Sequence, residues 1–96
     1  MVELRWSESA VKDLEELCNY ISIDSEEYAK NIARRIIDNI ETAATFPYSG
    51  RIVPEYNNEM IREKILLNYR IIYRIFEDKM EIVRIIHHAR DFNQIE

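Results

Sequence analysis

Apolar residues recur along this chain with two different periods, and the change of period divides it. Val11, Leu14, Leu17, Cys18 and Ile21 fall at helical spacing, with Lys12, Asp13, Glu15 and Glu16 turned away. Ser7 is placed to cap that helix and Glu8 to meet its dipole, which predicts a helix running to about Ile23. VELRW (2–6) before it reads as a short strand. Asp24 and Ser25 form a break, and Asp24 with Glu27 three residues on resembles a capping box. Ala29, Ile32, Ala33, Ile36, Ile37, Ile40, Ala43 and Ala44 then hold helical spacing over four turns. This second helix must stop before Pro47, because the residue ahead of a proline avoids the helical region. Two helices joined by so short a break should pack as an antiparallel hairpin.

Past the loop at 47–59 the period drops to two. MIREKILL (60–67), YRIIYRIF (69–76) and MEIVRIIHH (80–88) read as strands, with short turns at Asn68 and around Asp78-Lys79 that predict an antiparallel meander. The expected fold is α+β. An N-terminal strand and an antiparallel two-helix hairpin pack on one face of a mainly antiparallel four-stranded sheet, in the order β-α-α-β-β-β. Residues 1–96 should form a single domain, since a chain this short has no room for two.

The turn's register decides which side chains share a face. With Phe76 opposite Ile82, Ile71, Tyr73, Ile75, Val83 and Ile85 share the core face, and Ile61, Ile65 and Leu67 join them, with Glu63 near an edge. The other face then carries Arg62, Lys64, Arg70, Arg74, Arg84 and His88, with Arg90 beyond the strand end and Leu66, Ile72, Phe76, Ile82 and Ile86 interleaved. Arg70 would lie opposite His88. No acid falls on that face, so it should attract an anionic partner.

Composition narrows the class. Hydrophobic residues make up 47% of the chain and glycine occurs once, which is a globular and regular composition. The single cysteine, Cys18, excludes an internal disulfide and a cysteine-based zinc site. No signal-peptide core or membrane-length apolar run is visible, so a cytoplasmic protein without membrane contact is expected. The net charge of −5 argues against a generic nucleic-acid binder. That charge is uneven. Residues 1–60 hold 12 acids and 6 bases, and residues 61–96 hold 6 acids and 7 bases.

The residues Trp6-Ser7, Ala10, Asp13-Leu14, Phe46-Pro47, Gly50-Arg51, Arg62, Tyr69 to Arg74 and Ile85 to Asp91 appear in an order and spacing that resembles the RelE/ParE superfamily of toxins from type II toxin–antitoxin modules. The match runs almost end to end. It implies a small toxin held inactive by a cognate antitoxin that contacts the hairpin and sheet. RelE-like members are ribosome-dependent, metal-independent mRNA endoribonucleases. ParE-like members poison DNA gyrase by binding.

RNA cleavage without a metal needs a base, a cation for the phosphorane and an acid. Glu55, Arg70 and His88 are the candidates. The resemblance to the nuclease branch places a tyrosine after the histidine, and Ala89 stands there instead. The ending His88-Ala89-Arg90-Asp91 looks more like ParE. The sequence therefore points to a ParE-like gyrase inhibitor. RNA cleavage on the ribosome and a non-toxic antitoxin-binding relative remain as alternatives. No cofactor is expected. His87 and His88 point to opposite faces of a strand, so no metal site is expected either.

Overall fold

The computed structural model describes residues 2–87. The expectations for His88, Ala89, Arg90 and Asp91 lie outside those residues. Strand β1 (Glu3–Trp6) leads into helices α1 (Glu8–Ser22) and α2 (Glu26–Thr45), then a 3-10 turn (Pro47–Ser49), β2 (Arg51–Ile52), β3 (Ile61–Leu66), β4 (Tyr69–Ile75) and β5 (Lys79–His87). The sheet order is β1-β5-β4-β3-β2. β1 runs parallel to β5 and the other neighbours are antiparallel. The sheet has five strands rather than four, because Arg51 and Ile52 of the long loop pair with Glu63 and Arg62.

Local chemistry explains the hairpin. Ser7 Oγ accepts the Ala10 N–H at 3.0 Å, and Ser25 Oγ accepts the Tyr28 N–H at 3.1 Å. Ser25 caps α2 in place of Asp24, and its extended backbone sets Glu26 and Glu27 in the first turn, against the dipole's positive end. Ile32, Ile36, Ile40, Ala43 and Ala44 of α2 are buried against the sheet. Trp6, Leu14, Leu17, Ile21 and Tyr69 pack around that core, and Tyr73 is fully buried in it. Burial of each isoleucine contributes roughly 2–3 kcal/mol.

The expected strand faces are corrected at two points. The β3–β4 turn has two residues, Leu67 and Asn68, so Leu66 lies opposite Tyr69 and Lys64 opposite Ile71. Side chains of paired residues share a face, and this one-residue difference flips the whole strand. Arg62, Lys64 and Leu66 face the helices, whereas Ile61, Glu63 and Ile65 face the uncovered side. In β5 a bulge makes Val83 an extra residue, since Ile72 pairs with Arg84 but Tyr73 pairs with Ile82. Ile82 therefore joins the core with Ile85, and Val83 leaves it for a second cluster with Val53, Ile72 and Ile86. Arg70 lies opposite Ile86, not His88.

β1 stops short, at Trp6 opposite Ile82, and α1 closes the strand edge beyond it. Ser7 donates its hydroxyl to the Val83 carbonyl at 2.8 Å. Asp13 accepts Arg84 Nε at 2.7 Å, Arg84 Nη2 at 2.9 Å and the Ile85 N–H at 2.9 Å. One carboxylate thus neutralises a largely buried guanidinium and satisfies the backbone beside the bulge. Among the described residues no buried side-chain nitrogen or oxygen lacks a partner.

The loop is held as firmly. Tyr73 Oη donates to the Pro47 carbonyl at 2.6 Å and accepts the Gly50 N–H at 3.1 Å. Arg62 donates to the Gly50 carbonyl at 3.1 Å and to the Glu59 carbonyl at 2.9 Å. A Cβ on Gly50 would collide with Tyr73 Oη and sit 2.8 Å from the Glu63 carbonyl oxygen. Glycine is required there by space.

Asp13→Ala should lower stability by about 2–4 kcal/mol, because it strips a buried arginine of its carboxylate. Urea unfolding checks this, and an unchanged midpoint contradicts it. Gly50→Ala should cost about 1–3 kcal/mol through the steric clash. Tyr73→Phe should cost a similar amount, about 1–3 kcal/mol, by orphaning the loop's polar groups. Near-wild-type melting of both variants would show that the loop is not pinned as described.

Candidate functional site

The uncovered sheet face carries a chain of four alternating charges. Arg51 of β2 donates Nε to Glu63 of β3, and Glu63 accepts Arg70 Nε at 2.6 Å. Arg70 then donates Nη1 and Nη2 to Glu55 at 2.9 and 3.0 Å. The Glu63 side chain is 0% exposed and that of Arg70 7%, while Glu55 is 39% exposed and Arg51 55%. The chain runs from a dry centre to a wet rim at both ends.

Each partner shapes the next. The Arg70 hydrogen bond holds the Glu55 carboxyl below its ordinary range, against a smaller opposing effect of burial. The Glu55 hydrogen bond in turn raises Arg70 further above the ordinary guanidinium range. Glu55 reaches the sheet because the loop folds back over it. Val53 is fully buried against Ile72 and Ile86, and Val53 anchors the start of the exposed stretch 54–60.

Of the seven residues expected to form one basic face, the five that the structure describes do not gather on it. Arg70 and Arg84 are bound to carboxylates. Arg62 and Lys64 stand on the helix side, and Arg62 also stacks on Tyr48 at 5.1 Å. Arg74 is exposed on the uncovered side and stacks on Phe76 at 5.1 Å. His88 and Arg90 lie outside the described residues. Of the candidate cleavage groups, Glu55 and Arg70 are brought together.

Glu63, Arg51 and Asp13 were not singled out from sequence as site residues. The available signal was Glu63 itself, a lone acid between Ile61 and Ile65 in an alternating strand. Among the described residues no group of three or more His, Cys, Asp or Glu could hold a metal ion, and no helix is long and apolar enough to cross a membrane. A concavity of about 450 Å³ lies between α1 and the end of β5, lined by Asp13, Glu16, Leu17, Tyr20, Tyr69 and His87.

The Glu55–Arg70 pair should make stability depend on acid. A carboxyl lowered by folding stabilises fully above its unfolded value, about 4.3, and that gain is lost as pH falls through the folded value. Solvent screening limits it to about 1 kcal/mol. Glu55→Gln should therefore be less stable than wild type at pH 7, and the gap should close toward pH 3. Urea titrations at both pH values test this. A gap independent of pH would remove the pair from the stability balance.

Residues 4–92 match the family model described as the ParE toxin of the type II toxin–antitoxin system parDE. The chain is 31% identical over 94 residues to "Putative toxin Y4kP" of Sinorhizobium fredii, covering 96% of this chain and 94% of that protein. Its fold is similar to a solved structure described as the chromosomal ParDE TA system from P. aeruginosa, with a TM-score of 0.74 and 20% identity over 91% of this chain and 96% of that one. The order and spacing of residues along the chain, the β-α-α-β sheet and the family match agree, and this chain belongs to the ParE toxin family, within the RelE/ParE superfamily.

Proposed function

We propose that this chain is the toxin of a two-component module, that a cognate antitoxin holds it inactive in the cytoplasm, and that it acts by binding DNA gyrase. The observation that carries the choice of target is the state of Arg70. An RNA-cleaving site needs a cation open to the phosphorane, and both edges of this guanidinium are held by carboxylates. Glu55, the candidate base, is lowered by the same contact, and a general base works best near the operating pH. Ala89 also offers no proton where a nuclease tyrosine would stand. Family membership and the fold shared with a ParDE system support the antitoxin partner.

Metal-independent RNA cleavage on the ribosome is the second reading. What favours it is the contact between Glu55 and Arg70, two of the three groups that such chemistry would use. A non-toxic antitoxin-binding relative is the third.

Purified protein should block gyrase supercoiling and trap cleaved DNA at micromolar concentration, and primer extension on translating ribosomes should give no new 5′ ends. Ends that vanish with His88→Ala would overturn the gyrase reading. Harmless induction without an antitoxin would favour the third. Among the described cations of that set, Arg74 is the one exposed on the uncovered face, and it is offered to a target. Arg74→Ala should weaken gyrase inhibition about threefold to tenfold with its unfolding midpoint unchanged. Arg70→Ala and Arg84→Ala should act chiefly by destabilising the fold.

A further inference from the structure

Two methionines among the described residues stand in opposite settings. Met80 is fully buried in the core, whereas Met60, beside the head of β3, is 37% exposed. The Met60 backbone is fixed. Its N–H donates to Asn58 Oδ1 at 2.9 Å, and its carbonyl accepts the Ile75 N–H at 2.7 Å. The thioether is thus presented to water without any opening of the fold.

The sulphur also has a partner. Tyr48 donates its hydroxyl to Met60 Sδ at 3.8 Å, which joins the turn at 47–49 to the far end of the loop. Arg62 joins the same two places. It stacks on the Tyr48 ring at 5.1 Å, and it donates to the Tyr48 carbonyl at 3.4 Å and to the Glu59 carbonyl at 2.9 Å. The guanidinium therefore holds the ring that aims the hydroxyl at the sulphur. A thioether is a weak acceptor, so this is a weak link in a clasp otherwise made by a charged donor.

We propose that Met60 is an oxidation site, and that its sulfoxide tightens the clasp on Tyr48. The oxidant is a peroxide. A lone pair on Sδ takes the peroxide's terminal oxygen, and the S–O bond forms as the O–O bond breaks. The proton on that oxygen passes to the departing hydroxide, which leaves as water. The sulphur loses two electrons and the peroxide gains them. Inside an apolar core a sulfoxide disrupts packing. At Met60 the new oxygen meets water on one side and a hydroxyl donor on the other. Rotation about Cγ–Sδ turns it toward Tyr48 Oη, and an O–H···O bond replaces the weaker O–H···S contact. A sulfoxide reductase returns the side chain to the thioether.

The test exposes the folded, full-length chain to hydrogen peroxide, as wild type, Tyr48→Phe and Met60→Leu. Dithiothreitol added afterwards returns reversibly oxidised Cys18 to the thiol and leaves sulfoxides in place. Peptide mass spectrometry should find Met60 oxidised at least about tenfold faster than Met80. Oxidised wild type should melt about 2–4 °C above the untreated protein. Tyr48→Phe should gain no such rise, because its ring has no hydroxyl to donate, and the melting of Met60→Leu should not respond to peroxide. Equal oxidation of Met60 and Met80, a fall or no change in wild-type melting, or the same rise in either variant would each overturn the proposal.

Discussion

A carboxylate with no exposed surface sets the terms for this sheet. Glu63 lies between Arg51 and Arg70, with one guanidinium on each of its oxygens. Taking such an ion out of water costs several kcal/mol, and only close, well-aimed partners offset it. The requirement is geometric. Arg51 must lie opposite Glu63, which recruits residues 51–52 as a strand, and Arg70 must enter from the neighbouring strand on the same side. A shift of one residue would turn the carboxylate toward the helix-covered core, with neither arginine beside it. Apolar side chains tolerate sliding far better than an ion does, so the charged residue specifies the register that the isoleucines merely permit.

The helices were legible because their information is local. A 3.6-residue period, serines at the caps and Pro47 as a stop are all written within a few residues of where they act. The faces of the strands were not, because each depends on one residue of turn length or pairing. The turn at Leu67-Asn68 has Leu67 at φ 53°, a left-handed backbone normally marked by glycine or asparagine, so its length carried no signal. The bulge at Val83 falls on an ordinary β-branched residue. The place of Glu63 follows from the first of these, since the two-residue turn sets it opposite Ile72 on the uncovered side. The loop's reach to Arg70 had no local mark, because it depends on Val53 finding a cluster on the far side of the sheet.

The uneven charge of the sequence also takes on a different meaning in three dimensions. The basic second half reads as a field for an external anion. In the fold, acids of the first half meet its arginines. Asp13 takes Arg84 and Glu55 takes Arg70, while carbonyls of the loop take Arg62. Much of the asymmetry is therefore internal, an attraction between the two halves of one chain, and less of it reaches solvent than the sequence suggests.

Two glutamates share one arginine in this arrangement, yet solvent separates their roles. Glu63 is dry, and removing either of its partners would strand a buried charge, so that half of the network is permanent while the domain is folded. Glu55 is more than a third exposed, and water can replace its hydrogen bonds at little cost. The same guanidinium thus meets a dry carboxylate on one edge and a partly solvated one on the other. Burial, more than the number of hydrogen bonds, decides which of the two carboxylates the fold depends on.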